Sequence, residues 1–282
     1  MVVLAALPDS EDQGLPELSL AVSIALVLAS SGTFIYYLHH ITTVMRVSHI
    51  IGSIGAQSRR SIAELPTSDE PQPAVTGEVT QTVPATEPGM VSNVDLALLA
   101  RLAREYDCTI TVVPAPGDFV VAGAPLLRVH ATTRGTPRPV PADRAEQGVT
   151  LSVERSPGQD IGFGFRQLAD IAERALSPAV NDVTTAVRAL QEAHDLLRRL
   201  ATRPNPIHVV RDDDGTLRVQ MINIPYDTYL ATIVDDIRLI SNQQPRVKRL
   251  LDTVVRDLAS IALPIHQVAI GRRLSLQDGD RH

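Results

Sequence analysis

Hydrophobic and polar positions fall into three regimes along this chain. The first is an uncharged run from Leu18 to Leu38, LSLAVSIALVLASSGTFIYYL. As a helix rising about 1.5 Å per residue it spans roughly 31 Å, close to the ~30 Å hydrocarbon core of a bilayer. The run therefore predicts a transmembrane helix over 18–38, with residues 1–17 beyond it. In the second regime, Ile41, Val44, Met45, Val47, Ile50, Ile51 and Ile54 keep helical spacing. That spacing predicts a juxtamembrane helix over 39–63. Pro66, Pro71 and Pro73 then forbid a continuous helix, and 64–74 reads as a linker.

The third regime mixes two periodicities. Residues 75–148 read as a small α+β module. Ala74 to Val83 alternates like an edge strand, Val94 to Tyr106 is an amphipathic helix with Asn93 as its cap, and Thr109 to Val113 is a β-branched strand. PGDFVVAGAPLLRVH follows as two short strands with turns at Pro116-Gly117 and Ala122-Gly123, and 131–148 reads as a loop. Residues 149–282 read as mainly helical, with apolar stripes over Phe165–Leu176, Asp182–Ala201, Asp227–Ser241 and Pro245–Leu263, and a short helix in the tail after Leu263. One hairpin interrupts them, turning at Asp213-Asp214-Gly215. The predicted fold class is α+β: one N-terminal transmembrane helix, a small β-rich module and a mostly helical C-terminal domain.

Charge orients the span. Asp9, Glu11, Asp12 and Glu17 precede it, whereas Arg46, Arg59 and Arg60 follow it. Basic flanks stay in the cytoplasm, which predicts an extracytoplasmic N-terminus and a cytoplasmic C-terminal domain at the plasma (inner) membrane. Tyr36 and Tyr37 fit an interfacial aromatic belt. A net charge of −6 and the absence of Trp exclude a typical nucleic-acid binder. Cys108 is the only cysteine, so neither an intramolecular disulfide nor a thiolate metal cluster can form. His39, His40 and His49 do not share a helix face, and no metal or other cofactor is expected. Ser23, Ser30, Ser31, Gly32 and Thr33 make the span rich in small residues, which lets helices approach closely in lipid. The lipid bilayer and further copies of the chain, as a homo-oligomer, are the expected partners; a small ligand or ion stays undefined.

The densest polar pattern is RSPGQDIGFGFRQLADIAERALSPAVNDVTTA, Arg155 to Ala186. Arg166, Asp170 and Arg174 recur at i, i+4 and i+8, so they form one charged stripe. Pro178 stops the helix at Ser177, and Asn181 or Asp182 caps the next one. A ligand site here would use Arg155, Asp160, Arg166, Gln167, Asp170, Arg174, Ser177, Asn181 and Asp182. The alternative is a hydrogen-bond network that fixes the turn and a subunit contact. The acidic turn at 213–214 lacks the alternate spacing of a calcium loop and reads as a solvated turn.

The run DIGFGFRQLADIAERALSPAVNDVTTA resembles the hallmark of the domain of unknown function 2254 family, bacterial membrane proteins. FIYYLHHI, residues 34–41, resembles that family's exit from its last span, and PGDFVVAGAPL resembles its middle module. The likeness runs from about residue 20 to 260. Ala179 and Val183 stand where the family pattern has glycine and proline, while the acid and amide beside them are kept. The resemblance implies several N-terminal spans and a cytoplasmic domain, whereas this chain shows one span. PGDFVVAGAPL also resembles a hairpin of lipoyl-type carrier folds, but the carrier lysine is missing, Lys248 being the only lysine.

The favoured expectation is a non-enzymatic integral membrane protein whose cytoplasmic domain assembles subunits, senses a ligand or gates a pathway, possessing a channel-like or transporter-like role. The alternative is a membrane-tethered enzyme using Arg155, Asp160, Asp170 and Asp182. No nucleophile elbow, phosphate loop or zinc motif supports it. A third reading is an adaptor that binds a peptide through residues 89–130.

Overall fold

A computed structural model describes residues 17–44, 47–66, 75, 77–132, 138–155, 158–206, 208–221, 224–241 and 243–279. The fold divides into two compact units, residues 1–50 and 51–282. The first holds α1 (Glu17–Val44). Its Ser19–Tyr37 stretch is long and apolar enough to cross a membrane, and none of it is buried. Leu26 and Leu28 are 65% and 67% exposed. Ser23 and Thr33 donate their hydroxyls to Ser19 O and Ala29 O, each at 2.8 Å, so these polar groups are satisfied within their own helix. The helix continues past Leu38 to Val44, and α2 (Val47–Glu64) follows. The helix thus extends beyond the expected span, because nothing in residues 39–44 breaks a helix, while the stretch apolar enough to cross a membrane ends at Tyr37. Most of the expected linker lies outside the described residues.

The 51–282 unit has two cores. The β core lies between two sheets and α3 (Leu96–Glu105). The larger sheet has the order β1-β5-β3-β8-β7, built from β1 (Val79–Pro84), β3 (Cys108–Val112), β5 (Pro125–Ala131), β7 (His208–Arg211) and β8 (Leu217–Met221). The smaller has β4 (Phe119–Val120), β2 (Gly89–Val94) and β6 (Val149–Ser152), in the order β4-β2-β6. β1 is an edge strand, as alternation predicts. Cys108, Ile110 and Val112 are fully buried and face α3, whose Leu99, Leu102 and Ala103 return the contact at helical spacing.

Four expectations change here. Asp95 caps α3, accepting from Leu98 N at 2.8 Å; Asn93 instead lies within β2, opposite Thr150. The stretch read as a loop over 131–148 contains α4 (Ala142–Glu146). β4 and β5 do not pair with each other: β4 joins β2, and β5 joins β1 and β3. Gly117 and Gly123 make the turns on either side of β4, at φ 91° and 82°, a conformation that glycine adopts without strain. Finally, the β7–β8 hairpin does not stand among the helices. β8 pairs parallel to β3, Ile110 opposite Val219 and Val112 opposite Met221, so the helical and β-rich parts share one sheet.

The helical core is built from α2, α5 (Ile161–Leu176), α6 (Val183–Ala201), α7 (Tyr226–Leu230), α8 (Asp236–Ile240), α9 (Pro245–Ile261) and α10 (Pro264–Gly279). A π-helical turn, Ala231–Asp235, joins α7 to α8. Phe165, Leu168, Leu190, Leu196 and Leu197 are at most 1% exposed; burying each such side chain stabilises the fold by about 1.5–3 kcal/mol. α6 and α9 run parallel, since Asn181 meets Gln244 and His194 meets Asp257 at the same separation of 63 residues.

Candidate functional site

The nine polar residues singled out above occupy three places along α5. At its start, Asp160 is the N-cap. Its carboxylate is wholly buried, and it accepts from Phe163 N at 3.0 Å and from Arg155 Nε at 2.7 Å. A buried carboxylate persists when it is paired and hydrogen-bonded, and Asp160 is both. The Arg155 guanidinium lies 5.7 Å from the Phe163 ring centroid. A Cβ at Gly117 would fall on both the Asp160 carboxylate and the Arg155 guanidinium, so the turn before β4 closes directly over this pair. Tyr229 stacks on Phe165 at 4.9 Å. Burial, and then the Asp160 charge, push its phenol well above the ordinary range.

α2 lies against the same region. Ser58 is 6% exposed, and a Cβ at Gly164 would fall on its hydroxyl oxygen. Glycine at 164 thus permits the close approach of α2 and α5. Ser58, Ser61, Asp160, Gly164 and Gln167 line a small polar pocket beside this crossing. The next residue, Arg59, donates to Glu192 at 2.8 Å and to Asp195 at 3.1 Å on α6. Arg203 donates to Ile62 O.

Midway along α5, Arg166 pairs with Asp170 at 2.6 Å and with Glu173 at 2.9 Å. Among the described residues the ion pairs of this stretch join Arg166 to Asp170 and Glu173, and Arg174 is exposed. Beyond α5 the chain turns. Ser177 O accepts from Val180 N and Asn181 N, and Asp182 N donates to Ala175 O at 2.7 Å. Asn181 adopts φ 48°, a left-handed conformation its short amide tolerates. Its Oδ1 accepts from Gln244 Nε2 at 2.8 Å. Asp182 is the cap, accepting from Thr185 N at 3.0 Å and from Thr185 Oγ1 at 2.6 Å. Those bonds hold its carboxyl below the usual range.

α5 is about 24 Å long at ~1.5 Å per residue, so Asp160, Asp170 and Asp182 lie at its start, middle and far end. Arg155 and Asp160 meet; the four residues of the tethered-enzyme reading do not converge. Gly164, Ser58, Glu173 and Gln244 complete these networks and were not singled out in the sequence, while Gly117 was read there only as a turn and Arg59 only as part of the basic flank. Only Glu173, seven residues from Arg166 and so two turns along one face, carried a helical signal. The acidic turn is structural as well: Asp212 is held by Arg104 at 2.6 Å and Arg218 at 2.5 Å. Among the described residues, no three His, Cys, Asp or Glu side chains are grouped to hold a metal ion.

The family described as predicted membrane protein, DUF2254, matches residues 1–257. Uncharacterized proteins from Mycobacterium bovis and Mycobacterium tuberculosis H37Rv are each 30% identical to this chain over 271 residues, or 93% of it. The match covers 52% of each relative, so the chain spans about half the length of the curated relatives it matches. No solved structure matches the chain. With a match over nearly its whole length, the chain belongs to the DUF2254 family of predicted membrane proteins.

Proposed function

We propose that this chain is an integral protein of the inner membrane, spanning it once through α1 with its N-terminus outside. The 51–282 unit then works in the cytosol as an assembly domain, without catalysis of its own, for a homo-oligomer of channel-like or transporter-like type. The observation that carries this reading is the exposure of α1: every described side chain from Ser19 to Tyr37 lies outside any protein core, which water would penalise and lipid would not. The basic flank of Arg59 and Arg60 supports the orientation. The polar residues of α5 argue against a catalytic site, because they hold helices and turns in place instead of facing a common space.

The test joins topology to assembly. Reporter fusions at each terminus, one active only outside the membrane and one only inside, are expected to place the N-terminus outside and the C-terminus inside. Crosslinking in native membranes is expected to give discrete multiples of the chain. A C-terminus reported outside, or a chain that stays a monomer at every crosslinker concentration, would refute the reading.

A further inference from the structure

Two turns meet at one end of the helical layer, α5–α6 and α8–α9, joined by the bond between Asn181 and Gln244. Three large apolar side chains stand out there: Leu239 at 74%, Val180 at 55% and Ile240 at 47% exposure. Pro178 and Ala179 are exposed beside Val180. Around them stand four exposed cations, Arg174 at the end of α5 and Arg246, Lys248 and Arg249 in the first turns of α9. The neighbouring acids are mostly engaged. Asp170 and Glu173 pair with Arg166, Asp252 pairs with Arg238 at 3.0 Å, and Asp182 is spent on its cap. Asp236 is the exposed acid on α8. Four cations against Asp182, Asp236 and the one charge that Arg166 leaves uncompensated on Asp170 and Glu173 give this end a small positive balance in a chain of net charge −6.

We propose that this end docks on an anionic lipid bilayer. Leu239, Ile240 and Val180 enter the boundary between headgroups and acyl chains, and Arg174, Arg246, Lys248 and Arg249 engage the lipid phosphates. Apolar side chains ringed by basic ones are the composition that binds such surfaces, and acidic lipids supply the complementary charge. The inference rests on the membrane anchoring proposed above.

The full chain, carrying Leu239→Cys labelled with an environment-sensitive fluorophore, is reconstituted in vesicles of phosphatidylcholine alone or mixed with phosphatidylglycerol. Doxyl-labelled lipid serves as the quencher. Asp213→Cys, in the exposed β7–β8 turn, is the control site, and Cys108 is fully buried and stays unlabelled. Lipid quenching is expected at 239 but not at 213, stronger with phosphatidylglycerol and weakened by molar salt. The triple change Arg246→Gln, Lys248→Gln, Arg249→Gln is expected to weaken docking roughly a hundredfold, about fivefold for each cation removed. A chain that floats with the vesicles yet shows equal quenching at both sites overturns the inference and leaves the anchoring reading intact. Shielding of 239 from an aqueous quencher without lipid quenching assigns this end to a protein partner and also overturns it. A chain that fails to float removes the anchoring reading and this inference together.

Discussion

Replacing Asp160 with alanine discriminates between a structural network and a reacting site. The change removes the α5 cap, a loss of about 1 kcal/mol. It also strands the Arg155 guanidinium, whose side chain is only 26% exposed, which costs about a further 1–2 kcal/mol. The sum is about 2–3 kcal/mol. For a unit of this size each kcal/mol moves the midpoint by about 2–4 °C, so Tm is expected to fall by about 4–12 °C. Far-UV circular dichroism of the detergent-solubilised chain reads the transition. Asp160→Asn, which keeps one acceptor for Phe163 N, is expected to lose less. Asp170→Ala, at a carboxylate 52% exposed, is expected to stay within about 0.5 kcal/mol. The double variant Arg155→Ala, Asp160→Ala is expected to lose less than the two single losses added, because neither charge is then left alone. An Asp160→Ala protein that melts with the unaltered chain, or an Asp170→Ala protein that melts as low as Asp160→Ala, would refute the reasoning.

Further outcomes follow from the same contacts. Gly164→Val drives a side chain into Ser58 and is expected to release α2, seen as new protease cleavage between residues 51 and 64; in Gly164→Ala, adding Ser58→Gly is expected to restore protection. Burial holds His208 and His266 below the ordinary histidine range, so the unfolded chain takes up these protons first. Stability is then full above the unfolded value near 6.5 and falls as pH drops below it; thermal melts from pH 7.5 to 5 are expected to show the decline, and His266→Gln to reduce its slope. Burial also pushes the Cys108 thiol up to about 11, so a maleimide is expected to label the chain only after unfolding, as mass spectrometry checks.

Local order was legible in the sequence and partnership was not. The uncharged run announces α1, and stripes such as Leu190, Ala193, Leu197 and Leu200 announce α6, because a helix records its buried face every 3.6 residues. Gly215 marks the β7–β8 turn, at φ 83°. Nothing in Ile110 or Val219 says that they will be parallel neighbours 109 residues apart, since strand periodicity fixes a face and not a partner. The same limit divided the candidate site. Spacing along α5 placed Arg166 beside Asp170, but its geometry also separates Asp160 from Asp182, and the residues that complete the clusters around Asp160 and Asn181 come from remote segments. Gly117 and Gly164 matter through a missing side chain, which a search for chemistry passes over.

The central claim is that lipid surrounds α1. Membranes from cells making the full chain, stripped at alkaline pH and floated on a density gradient, test it most directly alongside a Leu26→Arg, Leu28→Arg variant. Each arginine near the centre of the span opposes insertion by about 2.5–3.5 kcal/mol. The unaltered chain is expected in the floating fraction and the variant in the soluble one. An unaltered chain that stays at the bottom with soluble proteins would contradict the account.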